Sequence, residues 1–306
     1  MPFSRYTTRD KFGRTITFYL SRAEASPHPL PLTVFIGGSG CISNFTKKGD
    51  RIAGGIQNLL LQQVQGRARV MVVEKPGVNY LDFPADPGGA TACSPTFLEE
   101  HTLPRWAEAV GAAIRAAHTL PDIARDKTLV VGHSEGGLVA ARVAAENSVI
   151  THVASLSGGG PTQLFDLVEI ARSQGQDDHN QTPAQRVDSV YTTWSLIAAD
   201  PMSTTKSFLG HPYRRWSTFL QDSVLAELQK TKARIYIAQG TEDTSVTVAS
   251  FDILRAQLVA QGRDVTADRV EGGDHGYHLK TDATPIDGLQ AVMGKVATWF
   301  LNDTKP

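Results

Sequence analysis

Short apolar runs alternate along this chain with stretches in which apolar residues recur every three or four positions. That alternation predicts strands interleaved with helices, hence an α/β protein with a largely parallel sheet. The first element departs from the pattern: Thr15 to Leu20 follows the turn-like Lys11-Phe12-Gly13-Arg14, which predicts an antiparallel hairpin. Strands are then predicted at Leu32 to Ile36, Arg69 to Glu74, Lys127 to Val131 and Thr151 to Leu156. Helices are predicted at about Arg51 to Gln65, Leu98 to His118 and Leu138 to Ala145, the first because Ile52, Ile56, Leu59, Leu60 and Val64 share one face.

After Ser157-Gly158-Gly159-Gly160-Pro161 the period changes. From about Gly159 to Lys230 the pattern is helical and carries no convincing strand. Alternation resumes with a strand at Ala233 to Ala238, a helix near Val248 to Gln261, a strand near Asp264 to Val270 and a closing helix from about Ile286 to Leu301. The chain therefore reads as one sheet domain, residues 1–158 and 231–306, interrupted by a helical insertion at 159–230.

Composition narrows the function. The 306 residues include 41% hydrophobic and 20% charged, which is ordinary globular usage, and 30 basic residues nearly cancel 31 acidic ones. Without a Lys/Arg stripe a nucleic-acid partner is not expected, and a small-molecule substrate is. No apolar stretch is long enough to span a bilayer, and the start of the chain has no apolar targeting core. Cytoplasmic residence is the default expectation, with a secreted or periplasmic protein the alternative if a signal peptide has been removed. Oligomeric state stays open, a homo-oligomer included. The two cysteines, Cys41 and Cys93, are expected to be free thiols, with a single disulfide as the alternative in an oxidising compartment. Nine histidines are scattered without metal-ligand spacing, so neither a metal nor an organic cofactor is expected.

The chemistry concentrates at Gly132-His133-Ser134-Glu135-Gly136, a Gly-x-Ser-x-Gly sequence preceded by an apolar strand and followed by an alanine-rich helix. A serine there sits on a tight strand-to-helix turn, with glycines on either side letting backbones approach. In this context the sequence resembles the α/β-hydrolase superfamily over nearly the whole chain outside the insertion, with esterases and the prolyl-oligopeptidase-like and dienelactone-hydrolase-like enzymes as the branches in view. The resemblance implies the α/β-hydrolase fold, a mostly parallel eight-stranded sheet flanked by helices, with the insertion as a cap. It also implies a serine nucleophile, Ser134, and a chain order of serine, acid, histidine.

Gln239-Gly240-Thr241-Glu242-Asp243-Thr244-Ser245-Val246 is similar to the family's acid loop, making Asp243 the acid and Glu242 the runner-up. Gly272-Gly273-Asp274-His275-Gly276 supplies the base, His275, with His278 the nearest competitor. A serine hydroxyl needs such a base because unassisted it is a poor nucleophile. The developing oxyanion needs donors. One is expected from the backbone N–H of Glu135. The other is expected from Ser39, or alternatively Gly40, in Gly37-Gly38-Ser39-Gly40, where Gly37 departs from the commoner His-Gly opening.

The Glu135 side chain is expected to serve the helix N-terminus, with contact to a cationic substrate as the minority reading. Trp194 and Trp216 are candidates for the substrate pocket among the insertion's aromatics, although the insertion's own core is the ordinary place for them. The implied activity is cleavage of carboxylic esters through an acyl-serine, with peptidase, amidase or thioesterase action and a non-catalytic receptor as the competing readings.

Overall fold

A computed structural model describes residues 2–22, 26–85, 90, 92–173, 181–279 and 287–303. Strands β1 (Phe3–Arg9) and β2 (Thr15–Ser21) pair antiparallel as the sequence predicts, with Gly13 taking a positive φ of 78° in the turn. β3 (Leu30–Ile36) follows. Then the structure corrects the expected helix at 51–65: its first part is a small antiparallel hairpin, β4 (Phe45–Lys48) and β5 (Arg51–Gly54), and helix α1 covers only Gln57–Val64. Gly49, at φ 59°, turns the hairpin, so Ile52 leaves the helical face assigned to it and is exposed.

β6 (Arg69–Val73) precedes α2 (Pro95–Glu100) and α3 (Leu103–Ala117). These two divide what reads as one helix at 98–118. Ser94 caps α2 through a hydrogen bond from the Phe97 N–H, and Pro104 sits in the first turn of α3, where its missing N–H is harmless but would interrupt a continuous helix. β7 (Ile123–His133), α4 (Glu135–Glu146) and β8 (His152–Leu156) come next. Between β8 and the following sheet strand lie α5 (Gln163–Ser173), α6 (Pro183–Ala199), the two-residue strands β9 (Ser207–Phe208) and β10 (His211–Pro212), α7 (Tyr213–Phe219) and α8 (Val224–Lys230). The paired β9 and β10 are a small addition to a segment that reads as purely helical. The chain ends with β11 (Arg234–Gly240), α9 (Val248–Ala260), β12 (Val265–Val270) and α10 (Asp287–Asn302). Ile286, named as the start of the closing helix, lies outside the described residues.

Eight strands form one sheet in the order β1-β2-β6-β3-β7-β8-β11-β12, parallel from β6 to β12. Side chains alternate across it. Val34, Val130 and Ile237 meet α3, α4, α8 and α9 on one face, whereas Phe35, Val131 and Tyr236 meet α1 and α10 on the other. Each fully buried Val, Leu, Ile or Phe of these two layers contributes about 1.5–3 kcal/mol. Two covered faces explain why the central strands read as continuous apolar runs.

The α8 helix belongs to this flanking layer: Val224 and Leu228 join the main core and the helix packs on α4 and α9. The helices α5 and α6 pack on one another, and α7 packs on α6, α2 and α3. Among the described residues no helix is long and apolar enough to cross a membrane. Every loop that carries candidate chemistry leaves the carboxyl end of a sheet strand, where open α/β sheets gather their sites.

Candidate active site

Ser134 occupies the junction of β7 and α4 with φ 57° and ψ −129°, a conformation that costs a non-glycine residue strain and projects it from the turn. Both glycines of the motif are sterically required. A Cβ on Gly132 would lie 1.8 Å from the Gly136 carbonyl oxygen, and one on Gly136 would lie 2.3 Å from that of Ile36. The Ser134 N–H donates to the Leu156 carbonyl at 2.9 Å, tying the turn to the neighbouring strand.

The acid loop follows β11. Asp243 is buried, and its Oδ1 accepts the N–H groups of Ser245 and Val246 at 2.8 and 2.9 Å. Its Oδ2 accepts from Gln239 Nε2 at 2.7 Å and from His275 Nδ1 at 2.8 Å. Burial pushes the Asp243 carboxyl up, but the bond and charge of His275 and the two backbone donors outweigh it and hold the group below the usual carboxylate range. With Nδ1–H directed at a carboxylate, Nε2 of His275 is left as the basic nitrogen. The competitors are placed elsewhere: Glu242 is exposed, and His278 Nδ1 faces Asp274 Oδ2 at 3.2 Å on the surface.

His133, the residue before Ser134, joins this pair to the turn. Its Nε2 donates to the His275 carbonyl at 2.9 Å, and the two rings lie 5.1 Å apart. Burial, reinforced by His275, lowers the His133 pKa to about 4, so it is neutral near pH 7.

The glycine-rich loop lies against the same turn. A Cβ on Gly38 would sit 3.1 Å from Ser134 Cβ and 3.5 Å from its Oγ. On the far side of the loop, Lys75 Nζ donates to the carbonyls of Gly38, Ser39 and Gly40, the last two at 3.2 and 2.6 Å, and sits 5.0 Å from the Trp106 ring centre. Removal from water lowers the Lys75 pKa to about 7, with Glu74 opposing the shift and Arg215 adding to it. Cys41 follows directly and is bonded to Cys93, which corrects the expectation of free thiols. The two loops do converge on one rim, and that proximity is what a disulfide needs.

Ser39, Ser134 and Glu135 line a cavity of about 180 Å³ together with Gln163, Asp166, Leu167, Arg215, Trp216 and Val246. Trp216 is therefore on its wall. Trp194 is not where the pocket reading puts it: it packs with Ile197, Trp216 and Leu220, because its spacing to Ile197 on α6 turns it toward α7. Tyr213 and Phe208 join the same cluster, and Phe219 lies in the main core.

The Glu135 side chain is buried and forms an ion pair with the guanidinium of Arg215 on α7, and its Oε1 lies 3.2 Å from His101 Nε2. Arg215 stacks its guanidinium 3.7 Å from the Trp216 ring centre, and burial lowers its pKa to about 9, leaving it charged near pH 7. Asp166, also on the wall, accepts from Ser250 Oγ at 2.5 Å; burial raises its pKa to about 6 against that bond.

Sequence reasoning misses His133, Lys75, Asp166 and Arg215. The first is part of the motif, and its neighbour status was the available signal. Lys75 carries no local signal: its place beside Gly38 follows from the parallel pairing of Phe35 with Val72, continued three residues, a register that only the structure gives. Nothing local marks Asp166 or Arg215.

A family model matches residues 57–285, three quarters of the chain, and its description is the alpha/beta hydrolase family. The chain belongs to the alpha/beta hydrolase family. No curated protein matches the sequence. Among solved structures, this hydrolase is similar to Est1E from Butyrivibrio proteoclasticus bound to ferulic acid, with TM-score 0.63, 16% identity, and coverage of 97% of this chain and 100% of that one. It is similar to the acylaminoacyl peptidase of Pyrococcus horikoshii, with TM-score 0.64, 13% identity, and coverage of 100% of this chain and 43% of that one. A third is a puromycin-hydrolyzing peptidase of Mycobacterium tuberculosis, with TM-score 0.62, 15% identity, and coverage of 98% and 39%. At these identities the likeness speaks for the fold, which is that of the family.

Proposed function

We propose that this hydrolase cleaves carboxylic esters with Ser134 as nucleophile, His275 as general base and acid, and Asp243 as the group that orients the imidazole. The observation that carries the reading is the His275 Nδ1 to Asp243 Oδ2 bond at 2.8 Å, on a base loop anchored by His133 to the turn that bears Ser134. Ser134 Oγ attacks the ester carbonyl as His275 Nε2 takes its proton. The acyl–oxygen bond breaks, the alcohol leaves with that proton, and water repeats the sequence in reverse on the acyl-serine. Backbone N–H groups of Ser39 and Glu135 receive the oxyanion, the second favoured by its place at the start of α4.

In this reading the helices α5 to α7 act as the cap of the 159–230 insertion, over a small cavity whose wall mixes Trp216, Leu167 and Val246 with Gln163, Asp166 and Arg215. Such a lining favours short acyl groups with a polar substituent over long alkyl chains. Peptidase action is the second reading, favoured by the peptidases among the structural neighbours.

The test is labelling by a fluorophosphonate probe together with turnover of short p-nitrophenyl esters beside aminoacyl amides. Ser134→Ala is expected to abolish labelling. Ser134→Ala and His275→Ala are each expected to lower ester kcat by about 10⁴-fold or more, and Asp243→Asn to leave a small residue of activity. Near wild-type turnover in the first two would refute the mechanism, and strict preference for amides would move the assignment to the second reading.

A further inference from the structure

Three consecutive carbonyls of one loop converge on a single ammonium. In its protonated form, which prevails below its pKa of about 7, Lys75 Nζ gives one N–H each to Gly38, Ser39 and Gly40, and an ammonium with three donors and no acceptor is suited to such a cluster. The geometry has a consequence on the opposite side of the loop. No peptide bond among the described residues is cis, and in a planar trans peptide the N–H points opposite to the carbonyl. With the carbonyls of 38, 39 and 40 turned to Lys75, the N–H groups of 39, 40 and 41 are turned away from it. Ser39 shares its cavity with Ser134, and Gly38 lies against the Ser134 side chain.

We propose that Lys75 is a positioning residue for the oxyanion hole, holding the 38–40 carbonyls on one side of the loop and so presenting the Ser39 N–H to the cavity that contains Ser134. The inference rests on the Ser134 mechanism proposed above. Glycine-rich backbone has many conformations of similar energy, and peptide flips in such a loop would turn a donor into a repelling carbonyl. The ammonium opposes each flip, because a flipped peptide would remove a carbonyl from it. Lys75 can do this because β6 and β3 run parallel in a register that sets residue 75 beside residue 38, and because Trp106 lies beneath the ammonium.

The experiment compares wild type, Lys75→Met, Lys75→Arg and Lys75→Ala in steady-state ester hydrolysis, with thermal melting of each. A positioning role predicts that kcat of Lys75→Met falls about 10²–10³-fold, the loss typical of one oxyanion donor, while KM stays within about threefold. Lys75→Arg keeps the charge, but its planar fork does not bring three donors to one point, so its kcat is expected to fall at least about tenfold. Ethylammonium chloride is expected to restore part of kcat to Lys75→Ala, and tetramethylammonium chloride at equal ionic strength is not, having no N–H to donate.

A folded Lys75→Met with wild-type kcat, or one changed in KM alone, would overturn the proposal. If Lys75→Met does not fold, wild-type kcat in Lys75→Arg overturns it equally. Wild-type protein that neither labels at Ser134 nor turns over ester overturns the mechanism itself and this inference with it, an outcome read in a different sample from the variants.

Discussion

At the scale of the residue, each position of the Gly-x-Ser-x-Gly motif answers to a separate constraint. Gly132 and Gly136 have no room for a Cβ, and Ser134 carries a positive φ. These local demands leave a local signature, which is why the motif was legible in the sequence, whereas Asp243 and His275 were read from the chain order that the family resemblance implies. His133 was not, because its importance lies in a partner 142 residues away. Its titration gives a measurable consequence. The folded-state pKa of about 4 lies below the ordinary value of 6.5, so between those values the unfolded chain binds the extra proton and the folded chain does not. Stability attributable to His133 is therefore full above pH 6.5 and is lost as pH falls toward 4, by up to about 3 kcal/mol. Replacing it with Gln, which keeps an N–H donor for the His275 carbonyl, should flatten the pH dependence of urea unfolding in that window. A variant with the same slope as wild type would assign the acid sensitivity to other groups.

At the scale of the element, the buried strands of the main sheet announce themselves, and the short hairpins and helix boundaries do not. Strands buried on two faces must be apolar throughout, whereas Ile52 and Ile56 satisfy a helical period although Gly49 turns the first of them into a hairpin. In the same way Leu98 and Trp106 share a helical spacing across the break between α2 and α3. The loop after β3 is fixed by neither pattern. Lys75 gathers its carbonyls, and the Cys41–Cys93 bond anchors its end to the segment before α2. The bonded cysteines are 52 residues apart, so in the chain-entropy account closing that loop stabilises the fold by about 4 kcal/mol. Replacing both cysteines with Ser should lower the guanidinium midpoint accordingly, and wild type with the bond reduced should move toward the same midpoint. An unchanged midpoint in both would show that Val78, Ala90 and Phe97 hold the loop by packing alone.

At the scale of the whole molecule, the segment between β8 and β11 is fastened to the sheet domain by charge at two places on α4. Arg142 reaches Asp222 and Glu227, each at 3.0 Å, and holds the α8 end in the flanking layer. Glu135, at the other end of the same helix, meets Arg215 of α7 in the cavity wall. The second contact differs in kind because both partners are buried, so each charge depends on the other for compensation. That dependence predicts strong non-additivity. Arg215→Met leaves Glu135 buried without its cation beside a His101 that burial, above all, holds neutral, and should cost about 3–5 kcal/mol in urea unfolding near pH 7. Adding Glu135→Gln removes the stranded charge and should recover at least about 1 kcal/mol of that loss, so the double variant is more stable than Arg215→Met alone. If the two single losses simply add, the pair is not what joins α7 to the turn at Ser134, and the stacking of Arg215 on Trp216 and Phe219 must carry the connection instead.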